Sequence, residues 1–156
     1  MNDFKPFEDK LAGLIAALSP AGRRRMTADI AKKLRQRQQQ RIKLQKAPDG
    51  SHFAPRKRQP VRAKQGRIKR EMFAKLRTNR YIKASGNDSA AVVEFTGKVQ
   101  RIARVHQLGL KDKPSTKSAT VEYPQRQLMG FTEDDRQLVE SVIIDNLSDT
   151  VFTGGT

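Results

Sequence analysis

Apolar positions near the start of the chain recur at helical spacing and then thin out. Phe7, Leu11, Leu14, Ile15 and Leu18 predict a helix from about residue 6 to residue 18 with a single apolar face and Pro6 in its first turn, where proline is tolerated. Ser19-Pro20 supplies a cap and a proline at the first helical position, opening a second helix that reaches to about Lys46. Its apolar stripe is sparse: Met26, Ile30, Leu34 and, further on, Ile42. Residues 35–41 read RQRQQQR, good helix formers with almost nothing to bury, so this half either protrudes or lies on something polar.

Periodicity then stops. Ala47-Pro48-Asp49-Gly50 has strong turn chemistry, and SHFAPRKRQPVRAKQG after it combines two prolines, high charge and no repeat, which predicts an extended arm with Phe53 and Val61 as its sizeable apolar residues. From Gly66, the residues Ile68, Met72, Phe73 and Leu76 predict a third, short amphipathic helix. Residues 81–84 and 89–95, joined by Ser85-Gly86-Asn87-Asp88, read as a β-hairpin, which needs further sheet or a helix to cover it. Val99, Ile102, Ala103 and His106 form a helical stripe closed by Gly109; residues 111–118 read as a loop; residues 120–129 read as a strand that Pro124 confines to an edge or bulge. Thr132 with Glu133, Asp134 and Asp135 opens a last helix burying Leu138, Val142, Ile143 and Leu147, with a glycine-rich tail expected to fray from Ser148. The expected organisation is a helical hairpin over 1–47, a basic arm over 48–66, an α+β core over 67–147 and a flexible tail over 148–156. The fold class is α+β: a small, largely antiparallel sheet covered by helices, with a long basic N-terminal helix and an extended arm.

Charge changes this picture from a small domain to a binding protein. Residues 23–80 hold 21 of the chain's 32 Lys and Arg against three acids, so this stretch carries +18 where the whole chain carries +16. From Thr132 onward there are six acids against Arg136 alone. A basic middle implies a strongly negative partner or an acidic surface on another subunit, and an acidic end invites contact between copies. With 156 residues, 36% of them hydrophobic, the chain can bury a modest core, and with no cysteine it has neither disulfides nor a thiolate zinc site. The first twenty residues carry Asp3, Glu8 and Asp9, unlike a secretory signal, and no apolar run approaches a membrane span. The expectation is a soluble protein of the cytosol with no membrane partner.

Catalytic chemistry finds little support. There is no nucleophile elbow, glycine-rich phosphate loop or HExxH, and the two histidines, His52 and His106, have no nameable nucleophile. Glu133, Asp134 and Asp135 point in different directions on a first helical turn, and capping accounts for them without a metal. No cofactor is implied. Direct nucleic-acid binding is the serious competitor: the charge suffices for phosphate contacts, and Phe53, Phe73 and Tyr81 lie within or beside it as stacking candidates. No zinc-finger, RNP or basic-zipper pattern accompanies them, so only non-specific contact is expected.

Three ordered segments carry more information than composition. They are Gln45-Lys-Ala-Pro-Asp-Gly50, the helix end Arg101-Ile-Ala-Arg-Val-His-Gln-Leu-Gly109, and Tyr123-Pro-Gln-Arg-Gln-Leu-Met-Gly130 with the capped helix after it. In this order and spacing the chain resembles the phage virion morphogenesis family of contractile-tailed temperate phages, over nearly its whole length and including GRIKREMFAKLR. That family's last motif usually reads Pro-Ala-Arg-Pro-Leu-Leu-Gly; Pro124, Arg126, Leu128 and Gly130 match it, while Gln125 and Gln127 stand in place of Ala and Pro.

The resemblance implies a structural, non-enzymatic protein that completes the tail at its junction with the head. It would be made in the host cytoplasm and lie in the virion, at the neck or top of the tail. Its expected partners are further copies in a homo-oligomeric ring, with six as the expected number, other neck, tail-terminator or tail-tube proteins, and non-specific contact with channel DNA. Expected contact residues are Arg56, Lys57, Arg58, Arg62 and Lys64 in the arm, Arg35, Arg37 and Arg41 on the second helix, and Arg126, expected to pair with a carboxylate within or between subunits. Pro48, Asp49, Gly50, His106, Gly109, Pro124 and Gly130 are expected to shape the backbone of the matched segments.

Overall fold

The structure, a computed structural model, describes residues 5–56 and 71–153, with the side chains of the last helix described as far as Ser148. The elements in chain order are α1 (Lys5–Ala16), α2 (Pro20–Lys43), β1 (Ile82–Gly86), β2 (Ala91–Phe95), α3 (Gln100–Leu108), β3 (Lys111–Asp112), β4 (Val121–Glu122) and α4 (Glu133–Thr153). The class is α+β, and the antiparallel pairing occurs as two two-stranded pieces, β1 with β2 and β3 with β4. The chain forms two compact units, one from Met1–Leu34, Ala84–Val93 and Glu133–Thr156, the other from Arg35–Lys83 and Glu94–Thr132.

The first unit is built on the apolar stripe of α2. Ser19 accepts a hydrogen bond from the Gly22 amide at 3.0 Å and so caps α2 ahead of Pro20, a contribution of about 1 kcal/mol. Met26 and Ile30 are buried with Val142 of α4, and Ile15, Leu18, Leu34, Leu138, Val139 and Ile143 pack around them. Each fully buried side chain of this size contributes roughly 1.5–3 kcal/mol. α1 divides its apolar face: Leu11 is buried, whereas Phe7 and Leu14, on the same predicted face, are 44% and 46% exposed. Arg136 joins α4 to α1 through Glu8 at 2.6 Å, beside Glu140 at 3.4 Å and Glu133 at 3.5 Å.

The β1–β2 connection is held by polar groups of α2. The Thr27 hydroxyl lies 2.6 Å from the Asn87 carbonyl, and the Arg23 guanidinium donates to Leu18 O at 2.7 Å and Asp88 O at 3.1 Å. Arg23, the first charge of the basic stretch, thus closes α1 and anchors the hairpin. Gly86 ends β1 against α2, where a Cβ would collide with the Thr27 and Ala28 backbone.

In the second unit, Ile42, Phe53, Leu76, Ile82, Phe95, Ala103, Val105 and Leu128 are buried. Two expectations fail here for identifiable reasons. The predicted helix from residue 66 does not form over its described part: residues 72–81 are turns, and Phe73 takes a left-handed φ of +64°. The Gln45 amide captures both backbone groups of Met72, donating to its carbonyl at 2.9 Å and accepting its N–H at 3.1 Å, so these groups do not pair in a helix. The strand expected over 120–129 is reduced to Val121–Glu122, paired with Lys111–Asp112 from the expected loop. Pro124 has no N–H to continue the ladder, and the amides of Leu128 and Met129 bond to a side chain instead of a neighbouring strand. In the first unit, α4 runs to Thr153, past the expected boundary at Ser148.

Candidate functional site: a cluster of three sequence segments

Gln45–Gly50, Arg101–Gly109 and Tyr123–Gly130, far apart in sequence, all lie in the second unit and bond to one another or to shared neighbours. The first segment begins where α2 stops. Gln45 adopts φ +58°, its N–H donates to Ile42 O at 2.9 Å, and Lys46 N–H donates to Arg41 O at 3.0 Å, the paired bonds of a Schellman ending. The chain reverses through Pro48 and Asp49 to Gly50, at φ +88°, and the Asp49 carboxylate accepts from the Ser51 N–H at 2.9 Å. The Ser51 hydroxyl and N–H both hold that exposed carboxylate below its ordinary pKa.

The reversal folds the start of the expected arm back on the unit. Lys46 pairs with His52 in an antiparallel bridge, and Phe53 N–H donates to Gln45 O at 2.8 Å. Phe53, expected to have little to hold it, is buried and meets Phe73 edge-on at 5.6 Å. Arg56 is exposed; Lys57, Arg58, Arg62 and Lys64 lie outside the described residues, as does Val61.

Within its own chain Arg126 bonds to main-chain carbonyls and not to a carboxylate. It is 6% exposed and donates through Nε to Ala54 O at 2.7 Å and through Nη2 to Pro55 O at 3.0 Å. Burial first and then the nearby Arg56 charge press its pKa downward, and the guanidinium remains charged at physiological pH. Main-chain carbonyls replace the carboxylate because two consecutive residues, Ala54 and Pro55, present acceptors that match the guanidinium fork. The Arg126 N–H donates to His106 O at 2.7 Å, so one residue joins the third segment to the second and to the arm.

Gly109 ends α3 at φ +67°, with a Cβ position 2.9 Å from the Gln125 amide nitrogen, so both conformation and space require glycine there. Gln107, near this end of α3, substitutes for a strand: its Oε1 accepts from the amides of Leu128 at 2.8 Å and Met129 at 2.9 Å, and its Nε2 donates to Met129 O at 2.8 Å. Gly130 O then accepts from Gln38 at 2.8 Å and Arg41 at 2.9 Å, and a Cβ on Gly130 would stand 2.5 Å from Pro48 Cγ. The RQRQQQR half of α2 therefore lies on something polar, the backbone of the third segment. Arg35, Arg37 and Arg41 are half-buried. Sequence reasoning missed Gln38, Gln45 and Gln107 because single amides completing backbone bonds leave no periodic signal.

Phe73, His106 and Tyr123 stand edge-to-face at 4.9 Å and 5.0 Å and line a cavity of about 510 Å³ with Arg56, Pro124 and Arg126. His106 Nδ1 is buried with no hydrogen-bond partner among the described residues. Burial, and secondly Arg126, lower the His106 pKa and favour the neutral ring. The aromatic stacking candidates are occupied within the unit: Phe53 is buried, Phe73 lies in this row, and Arg80 sits over Tyr81 at 5.5 Å. Among the described residues no group of His, Asp and Glu has the arrangement of a metal site, and no helix is long and apolar enough to cross a membrane.

Fold and cluster define an α+β protein whose distinctive residues bind backbone and hold three separate segments of the second unit together. The model of the phage virion morphogenesis family matches residues 2–148, and the chain belongs to that family. Tail completion protein S of Escherichia phage P2 is 51% identical over 148 residues, which cover 94% of this chain and 99% of that protein. No solved structure matches the chain.

Proposed function

We propose that this chain is a structural virion component that completes the phage tail and thereby allows tail and filled head to join. The observation that carries the reading is the 51% identity, over nearly the full length of both chains, to a protein named tail completion protein S. The three family segments meet in one unit through Arg126, Gln107 and Gly130, which supports a constructed binding surface at this cluster. The role is architectural rather than catalytic. Copies assemble as a homo-oligomeric ring at the neck, six being the expected number, and contact neck, tail-terminator or tail-tube proteins. Arg35, Arg37, Arg41 and Arg56, with Lys57, Arg58, Arg62 and Lys64, supply positive charge toward those neighbours or toward channel DNA.

The test is electron microscopy of a lysate in which the gene is inactivated. DNA-filled heads and separate tails should accumulate, and expression of the chain in trans should restore joined particles. Normal infectious particles without it refute the proposal. Nucleic-acid binding as the primary role has no comparable support: the relative's name denotes a tail component, and the three stacking candidates already pack within the unit.

A further inference from the structure

One face of α3 is an apolar groove. Ala103, Arg104, Gln107 and Leu108 lie close together on it, at helical spacings of one, three and four, and Phe95 and Met129 complete a cavity of about 370 Å³. Leu108 is 51% exposed, Arg104 is exposed, and Glu94 is the one acid among the lining residues. A groove of this kind, apolar inside with a cation at its edge, suits an aliphatic side chain carried beside a carboxylate.

α4 presents that combination. Its exposed residues with described side chains, Glu133, Asp134, Gln137, Ser141, Ile144, Asp145 and Ser148, recur at three and four, so they share one face. Ile144, 45% exposed, is the large apolar residue on this face among the described side chains; Ser141 and Ser148 flank it without bulk, and Asp145 follows it. The one base of α4, Arg136, is engaged with Glu8, Glu133 and Glu140, so the charges on the exposed face are acidic. We infer that the α4 face centred on Ile144 of one copy docks into the α3 groove of a second copy, with Asp145 against Arg104. This rests on the oligomeric reading above and names the surfaces that make the oligomer. The two surfaces differ, so the contact is heterologous and repeats head to tail, which closes as a ring or continues as a filament. Ser141 and Ser148, one turn to either side of Ile144, leave room on this line of the face for the close helix approach that seating a ridge in a groove requires.

The chain contains no cysteine, so single cysteines report contacts without background. Ile144→Cys and Leu108→Cys proteins, mixed and oxidised gently, should give a disulfide-linked heterodimer, whereas Phe7→Cys mixed with Leu108→Cys should not. Arg104→Glu should weaken self-association about fivefold to tenfold, and mixing it with Asp145→Arg should recover most of the loss. Circular dichroism of each variant confirms folding, since all five sites are exposed. The mass of the unsubstituted protein separates the two levels of the argument. A monomer at every concentration overturns the ring reading and this inference with it. An oligomer whose Ile144→Cys and Leu108→Cys variants give no linked heterodimer, or whose Phe7→Cys control gives as much, overturns the docking alone.

Discussion

Replacing Arg126 by Met removes the guanidinium while keeping an unbranched apolar stem, and it should loosen the start of the arm before anything else. Two charge-assisted bonds are lost, at 2.7 Å to Ala54 O and 3.0 Å to Pro55 O, each of a kind that contributes about 1.5–3 kcal/mol. Pro55 is exposed, so its carbonyl can take a water instead, whereas Ala54 is half-buried and its carbonyl loses more. Removing a buried charge also relieves its desolvation cost, which offsets part of the remainder. The net expectation is a destabilisation of about 2 kcal/mol, or roughly 4–8 °C in Tm for a chain of this length. Urea unfolding should show a lower midpoint with an unchanged slope. Hydrogen exchange is the sharper assay, because the Phe53 N–H is bonded to Gln45 O at 2.8 Å and reports the arm directly. Its exchange should accelerate about thirtyfold if the full 2 kcal/mol is lost locally. A stability change below about 0.5 kcal/mol, or a Phe53 amide that exchanges at its original rate, would refute the assignment of Arg126 as the tether.

Gly109→Ala should destabilise by at least about 2 kcal/mol, because it adds a left-handed penalty to a Cβ position 2.9 Å from Gln125 N. Gly13→Ala in α1, where a Cβ meets nothing within 4 Å, should instead stabilise by about 0.5–1 kcal/mol, and urea midpoints of the pair give both signs. His106, with its pKa lowered below the ordinary 6.5, binds fewer protons folded than unfolded, so its contribution is fully present above pH 6.5 and is lost as pH falls through the depressed value. The slope of stability against pH below 6.5 should therefore flatten in His106→Phe. Replacing Arg56, Lys57, Arg58, Arg62 and Lys64 together by Gln should barely shift Tm, since exposed ion pairs contribute at most about 1 kcal/mol each. The same variant should join tails poorly, in an assay where the unsubstituted protein also weakens as salt rises.

Where one face of an element decides its structure, the sequence was informative. The Met26, Ile30 and Leu34 stripe, the Ser19-Pro20 helix start, the β1–β2 hairpin and the Gly109 ending all depend on neighbours within a few residues, and all are found. Failures came where a distant side chain redirects the backbone. Met72, Phe73 and Leu76 have helical spacing, yet the Gln45 amide, 27 residues away, takes the Met72 backbone groups. Residues 123–130 have strand-like composition, yet Gln107, Gln38 and Arg41 supply their bonds. Charge counting does not see what Arg23 and Arg126 do inside their own units, because a guanidinium that binds backbone carbonyls looks the same in sequence as one reserved for a partner. Composition alone left protein and nucleic-acid partners open, and the three ordered segments decided between them.

The most direct test of the proposed role is extract complementation. A lysate made without this chain, containing heads and tails, is mixed with the purified protein, and infectious particles are counted before and after. A rise in plaque-forming particles that saturates with added protein, and that heat-denatured protein does not produce, is the predicted result. A lysate that already contains normal numbers of infectious particles, or one whose heads and tails stay unjoined when folded protein is added, contradicts a role in completing the tail.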